Sequence, residues 1–211
     1  METTIIIIVV LAIILFTGIT LLKRSTYQKM LDDLQNERFE DFDARSNSNF
    51  VKWLFPRFNV VYLQMNSAIL QNNKRKINEA FERLDSMSMT NKQKEDVYMK
   101  AFNYYVSVSD KRLAHDYLEK INTLNNAQMK LEANRICHVY IDKDDSDLPE
   151  LLEEVADLPD ARKGVHEFLI SIIYKNKGDK ENQKKYEALS RQHMELLDAE
   201  IADKLKSEGK L

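Results

Sequence analysis

Glycine and proline are scarce in this 211-residue chain, at 4 and 3. Both residues punctuate chain direction, so their scarcity argues against a turn-rich β architecture and leaves long helical runs uninterrupted. With so few glycines, scattered as they are, no glycine-rich loop is present to cradle phosphate. The single cysteine, Cys137, cannot form an intrachain disulfide, and its apolar neighbours give it the character of a core position. No sign of charge dominates: 31 basic residues face 34 acidic ones, for a net charge of −3. The broad positive footprint that nucleic acid requires is missing.

What remains is rich in Leu, Glu, Lys and Gln, all good helix formers, and the expected fold class is all-α. From Thr3 to Leu22 the chain runs 20 residues without a charge. As a helix that run covers about 30 Å, the thickness of a hydrocarbon core. Only Glu2 carries side-chain charge before it, unlike the basic start of a signal peptide. The expectation is therefore a transmembrane anchor over 3–22, with the lipid bilayer as a partner. Lys23, Arg24, Lys29 and Arg38 follow the run, and basic residues near a span stay cytoplasmic. The expected topology is single-pass, amino terminus outside and the remainder cytoplasmic. Richness in Lys, Asn and Ile points to a bacterial plasma membrane.

Residues 23–57 read as a connector. Tyr27, Met30, Leu31, Leu34 and Phe42 keep a helical apolar stripe, while Asp32, Asp33, Glu37 and Glu40 occupy the wet face. The break at Ser46–Asn49 offers Ser or Asn to cap the next turn. FVKWLFPRF then concentrates Phe50, Trp53, Leu54, Phe55 and Phe58. These aromatics suit two places: a lipid headgroup boundary touched by Lys23, Arg24, Lys52, Trp53 and Arg57, or the first layer of the helical core, with Pro56 opening the next helix.

Beyond residue 58 a degenerate repeat appears. A small residue is followed three places on by tyrosine at Ala101/Tyr104, Cys137/Tyr140 and Ser171/Tyr174, spaced 36 and 34 residues apart. A second set, Ile77/Phe81/Leu84, Ala114/Leu118/Ile121 and Leu151/Val155/Leu158, recurs every 37 residues. Polar turns separate the two sets at Asn72–Asn73, around Ser109–Asp110, at Asp142–Asp147 and at Asn176–Asp179. The unit is helix, turn, helix, and about four pairs are expected to stack because no pair buries its own apolar face.

With Ile170, Ser171, Tyr174, Gly178 and Asp179 in the leucine, small residue, tyrosine, glycine and acidic places, the chain resembles the tetratricopeptide repeat family over 58–196. The other repeats keep only the small residue and the tyrosine. The resemblance implies an α-solenoid whose first helices line a groove for protein or peptide. Its candidate contacts are Lys100, Asn103, Asn134 and Arg135, the cations for a carboxylate and the amides for backbone. The last stretch, through 197–211, keeps an apolar stripe at Leu189, Leu196, Leu197, Ile201 and Leu205 and is expected to be a capping helix and tail.

Catalytic, metal and cofactor sites are not expected. His166–Glu167 begins an HExxH whose second histidine is replaced by Ile170. Cys137 and His138 are adjacent, and neighbours on a helix point about 100° apart. Asp142 to Glu153 has some calcium-loop carboxylates but Asp147 where glycine must turn the loop, so it reads as an acidic, helix-initiating turn. Lys74–Arg75–Lys76 reads as a solvated face. The expected function is a non-enzymatic, membrane-anchored adaptor with an unidentified protein or peptide partner, no nucleic acid and no small-molecule substrate. The alternative is a structural protein that self-associates through the connector and the C-terminal helix.

Overall fold

The computed structural model describes residues 2–208, with side chains described from 11 to 208. Among these residues it is all-helical: eleven α-helices and no strand. They fall into two compact units, Met1–Met89 and Thr90–Leu211.

The first unit contains α1 (Glu2–Gln35), α2 (Phe39–Ser46), α3 (Asn49–Leu54), α4 (Arg57–Leu70) and α5 (Lys74–Asp85). The expected connector helix is not separate, because nothing after Lys23 breaks the helix until Glu37 takes a positive φ of 55°. Met30 and Leu34 of α1 join Phe42, Val51, Val60 and Leu63 in a shared core, as the apolar stripe requires. Asp33 departs from its expected wet face. It is buried, and its carboxylate accepts from Arg38 Nη2 at 3.0 Å and Arg45 Nε at 2.8 Å. The break before α3 is capped by Ser48, whose hydroxyl accepts from the Val51 amide.

Among the described residues no helix is long and apolar enough to cross a membrane. That finding overturns the expected transmembrane anchor over 3–22. With it go the single-pass topology, the outside amino terminus, the cytoplasmic remainder and the bacterial plasma membrane. Within the residues whose side chains are described the run covers 11–22, 12 residues, about 18 Å at ~1.5 Å each against ~30 Å of hydrocarbon. The rest of the expected span, 3–10, lies outside the residues whose side chains are described. Leu11, Ile13, Ile14, Leu15 and Phe16 are exposed, so this face of α1 is uncovered by its own unit.

The second unit contains α6 (Asn91–Ser107), α7 (Lys111–Asn122), α8 (Ala127–Ile136), α9 (Leu148–Asp157), α10 (Asp160–Lys177) and α11 (Lys180–Ser207). At Cys137–Asp142, α8 widens into a π-helix that ends where Lys143 turns left-handed at φ 58°. Helices α6 and α7 pack as a pair, as do α10 and α11, and the π segment lies against both α6 and α10. The expected close-approach positions, Ala101, Cys137 and Ser171, are completely buried. Val139, Leu151, Ile170 and Ile173 knit the π segment, α9 and α10 into one core.

One turn design recurs within the two units. A residue with positive φ (Asn72, Ser109 or Gly178) ends the first helix, and the next residue (Asn73, Asp110 or Asp179) caps the second by accepting from the amide three places on. The left-handed residue closes the last turn of one helix, and the side-chain oxygen satisfies an orphan donor of the next. This is a compact connection for a helical hairpin, compatible with a helical solenoid.

Candidate functional site

The four expected groove residues take different positions. Asn103 is exposed on α6, and Lys100 is half-buried on the same helix. Asn134 on α8 donates to the Asn122 side chain of α7 at 2.9 Å and to its own Lys130 carbonyl at 2.7 Å. Arg135 is only 5% exposed. Its Nη1 and Nη2 donate to the two oxygens of Glu154 at 2.8 Å each, and Nη2 also meets Glu150 at 3.0 Å. Hydrogen bonds from Arg135 hold the Glu154 carboxyl below its ordinary value, with help from His166 at 3.1 Å. Arg135 is thus bound to α9 inside the fold, while Asn103 keeps a free approach from solvent.

The π-helix creates an arrangement of a different kind. In i→i+5 bonding, a residue comes to lie over the one five places before it, so Asp142 returns toward Cys137. Helix α7 adds His115. Its Nδ1 lies 3.8 Å from Cys137 Sγ, its Nε2 lies 3.0 Å from Asp142 Oδ1, and the thiol points at Asp142 Oδ2 across 3.8 Å. One ligand atom from each residue falls within 4.8 Å of the others. Cys137 is buried, whereas His115 and Asp142 reach the surface. Burial first, then the nearby Asp142 charge, push the thiol up to about 11. A nucleophilic cysteine needs the opposite environment, one that lowers its pKa and lets substrate approach.

The remaining chemical candidates resolve into structural pairs. His138 turns away from Cys137 and meets Asp147 at 2.9 Å. The acidic turn diverges: Asp142 faces His115, Asp145 pairs with Lys177, and Asp144 accepts from the Ser146 amide. These carboxylates do not converge on a calcium-sized point. His166 bridges to Glu154, and Glu167 accepts from or donates to His193 Nδ1 of α11 across 2.7 Å in a buried pair. In the basic triplet, Arg75 pairs with Glu79 and Lys76 with Asp43.

In the first unit, Lys23 and Arg24 are exposed on α1, and Trp53 on α3 is 71% exposed beside Phe50. Lys52 and Arg57 are brought together with Arg83 around a cavity of about 250 Å³ floored by Val60 and Val61. Arg83 also donates to Gln64 at 3.0 Å. Three cations at the mouth of an apolar pocket suit a carboxylate with an apolar stem.

Comparison with protein-family models, with curated proteins and with solved structures gives no match to this chain. The site residues themselves therefore carry the functional argument. Sequence reasoning missed the grouping of His115, Cys137 and Asp142, because His115 lies 22 residues from Cys137 and because a five-residue spacing is off-face in an α-helix. The one local signal was the carboxylate that opens the polar turn after Cys137.

Proposed function

We propose that this chain is a non-enzymatic binding scaffold, whose tetratricopeptide-like helical pairs hold another protein or a peptide on the faces of their first helices. One observation carries the reading. Within the helices of the second unit, Leu131, Tyr140, Val165 and Phe168 are exposed on the α8 strip and on α10, and none of the exposed large apolar residues falls on α7 or α9, whereas the long last helix α11 exposes Leu196 and Ile201. The second helices α7 and α9 hide their large apolar residues and are finished surfaces. First helices that leave them in water match the chemistry of an interaction surface, where aromatic residues serve as anchors. The contact of the π segment with both α6 and α10 supports a continuous layer of first helices. Asn103 adds an amide able to bond a partner's backbone.

The test begins with the full chain: proteins that co-purify with it are identified, and the purified partner's affinity is then measured against variants. Tyr140→Asp and Phe168→Asp are expected to weaken binding by at least ~10-fold, as the loss of a central aromatic anchor does. Glu119→Lys on α7 is expected to leave it unchanged. Equal affinity across all three rejects the assignment.

A second reading, self-association, rests on the exposed run at 11–22, on Trp53 and Phe50, and on Leu196 and Ile201 near the end of α11. An apolar face of that length needs cover that its own unit does not supply. Light scattering of the full chain tests it: a monomer at all concentrations removes this reading.

A further inference from the structure

A thiol, an imidazole and a carboxylate meet at the junction of α7 and the π segment, and none of them has a role in the binding surface described above. The donor set is the first clue. Nitrogen, sulfur and oxygen together suit a borderline divalent ion rather than calcium or magnesium, which take oxygen alone. The spacing is the second. Around a tetrahedral zinc ion, with bonds of ~2.3 Å to sulfur and ~2.0–2.1 Å to nitrogen or oxygen, neighbouring donors stand roughly 3.5 Å apart. Cys137 Sγ stands 3.8 Å from His115 Nδ1 and 3.8 Å from Asp142 Oδ2. Both distances are within the reach of a sulfur hydrogen bond and are also close to the ligand separations of such an ion.

We propose that His115, Cys137 and Asp142 form a binding site for one divalent transition-metal ion of the zinc class, with the fourth coordination position open to solvent.

Access favours an ion over a larger ligand. Cys137 is closed off on its own side, while His115 and Asp142 sit at the surface, so a bare ion reaches the sulfur by passing between them. The two exposed side chains, now paired with each other through Nε2 and Oδ1 at 3.0 Å, would give up that contact to close on the ion. Charge is balanced: thiolate and carboxylate together neutralise the dication, and the thiol proton leaves to solvent on binding. The site also depends on a local irregularity, since the π turn brings Asp142 over Cys137 and the left-handed Lys143 ends it there. π turns of this sort concentrate at functional sites. Loading would tie α7 to the π segment and leave one position for water or for a donor from a partner.

The experiment uses the reduced full chain, kept so with a phosphine, and Co²⁺ alone as the probe. The expected result is one equivalent of Co²⁺ bound with a thiolate-to-metal charge-transfer absorption in the near ultraviolet, bleached when Zn²⁺ is added. His115→Ala and Asp142→Asn alter exposed side chains and are expected to keep the helical circular dichroism spectrum while weakening Co²⁺ binding at least ~10-fold. Cys137→Ser is expected to abolish the charge-transfer band. Should that buried variant fail to fold, the two surface variants, with the thiol in place, decide the matter. No charge-transfer band in the wild-type chain, or unchanged affinity in both surface variants, overturns the proposal.

Discussion

Arg135 and Asp33 are the two charges whose surroundings differ most from what spacing along the chain implies. Arg135 reads from sequence as a groove cation, yet it serves α9, held by both oxygens of Glu154. Arg135→Ala leaves Glu154 and Glu150 without their cation and is expected to cost roughly 1–3 kcal/mol, measured by urea unfolding. Asp33 reads as a wet-face residue because its position on the helical wheel is polar, and the wheel carries no information about Arg38 and Arg45 on other segments. Burial opposes its ionisation, but hydrogen bonds from Arg45 and then Arg38 prevail and hold its carboxyl below the ordinary value. A depressed carboxyl contributes stability that is complete above the unfolded value, about 4, and lost as pH falls through the folded value. Denaturation midpoints measured downward from pH 5 should therefore fall below about pH 4, and in Asp33→Asn this part of the pH dependence should disappear.

Helix positions were largely legible, because few glycines and prolines interrupt the periodicity and because caps mark its ends. Ser48, Asn73, Asp110 and Asp179 all cap helices at polar breaks evident in the sequence. The π segment was not legible: its i→i+5 pattern changes which residues share a face, with no composition signal to announce it. The turns support a prediction. Ser109 holds a φ of 55° where glycine is easier, so Ser109→Gly is expected to raise stability by roughly 0.5–1 kcal/mol, read as a shift in the denaturant midpoint. The α10–α11 contact gives the opposite sign. A Cβ on Gly164 would stand 3.0 Å from the Met194 amide nitrogen and 3.2 Å from the Ser190 carbonyl oxygen. Neither backbone atom can rotate away, and Ser190 also donates to the Gly164 carbonyl at 2.7 Å. The strain, in a range of about 1–3 kcal/mol, exceeds the ~1 kcal/mol of helix propensity gained. Gly164→Ala should therefore lower the melting temperature, checked by calorimetry.

At the scale of the whole molecule, the helical-pair period organises the sequence, and its small residues are buried where close packing requires them. The period could not reveal the division at residues 89 and 90, since stacking pairs repeat on either side of it. It also says nothing of which faces remain open, which depends on every neighbour at once. The described part of the apolar run near the start is too short to cross a membrane and stays exposed in its unit. The central claim is that first helices of the second unit hold a partner. Hydrogen exchange on the full chain, with and without the co-purified partner, tests it most directly. The account predicts added protection in α6, α8, the π segment and α10, with α7 and α9 unchanged. Protection confined to α7 and α9, or to α1, would contradict it.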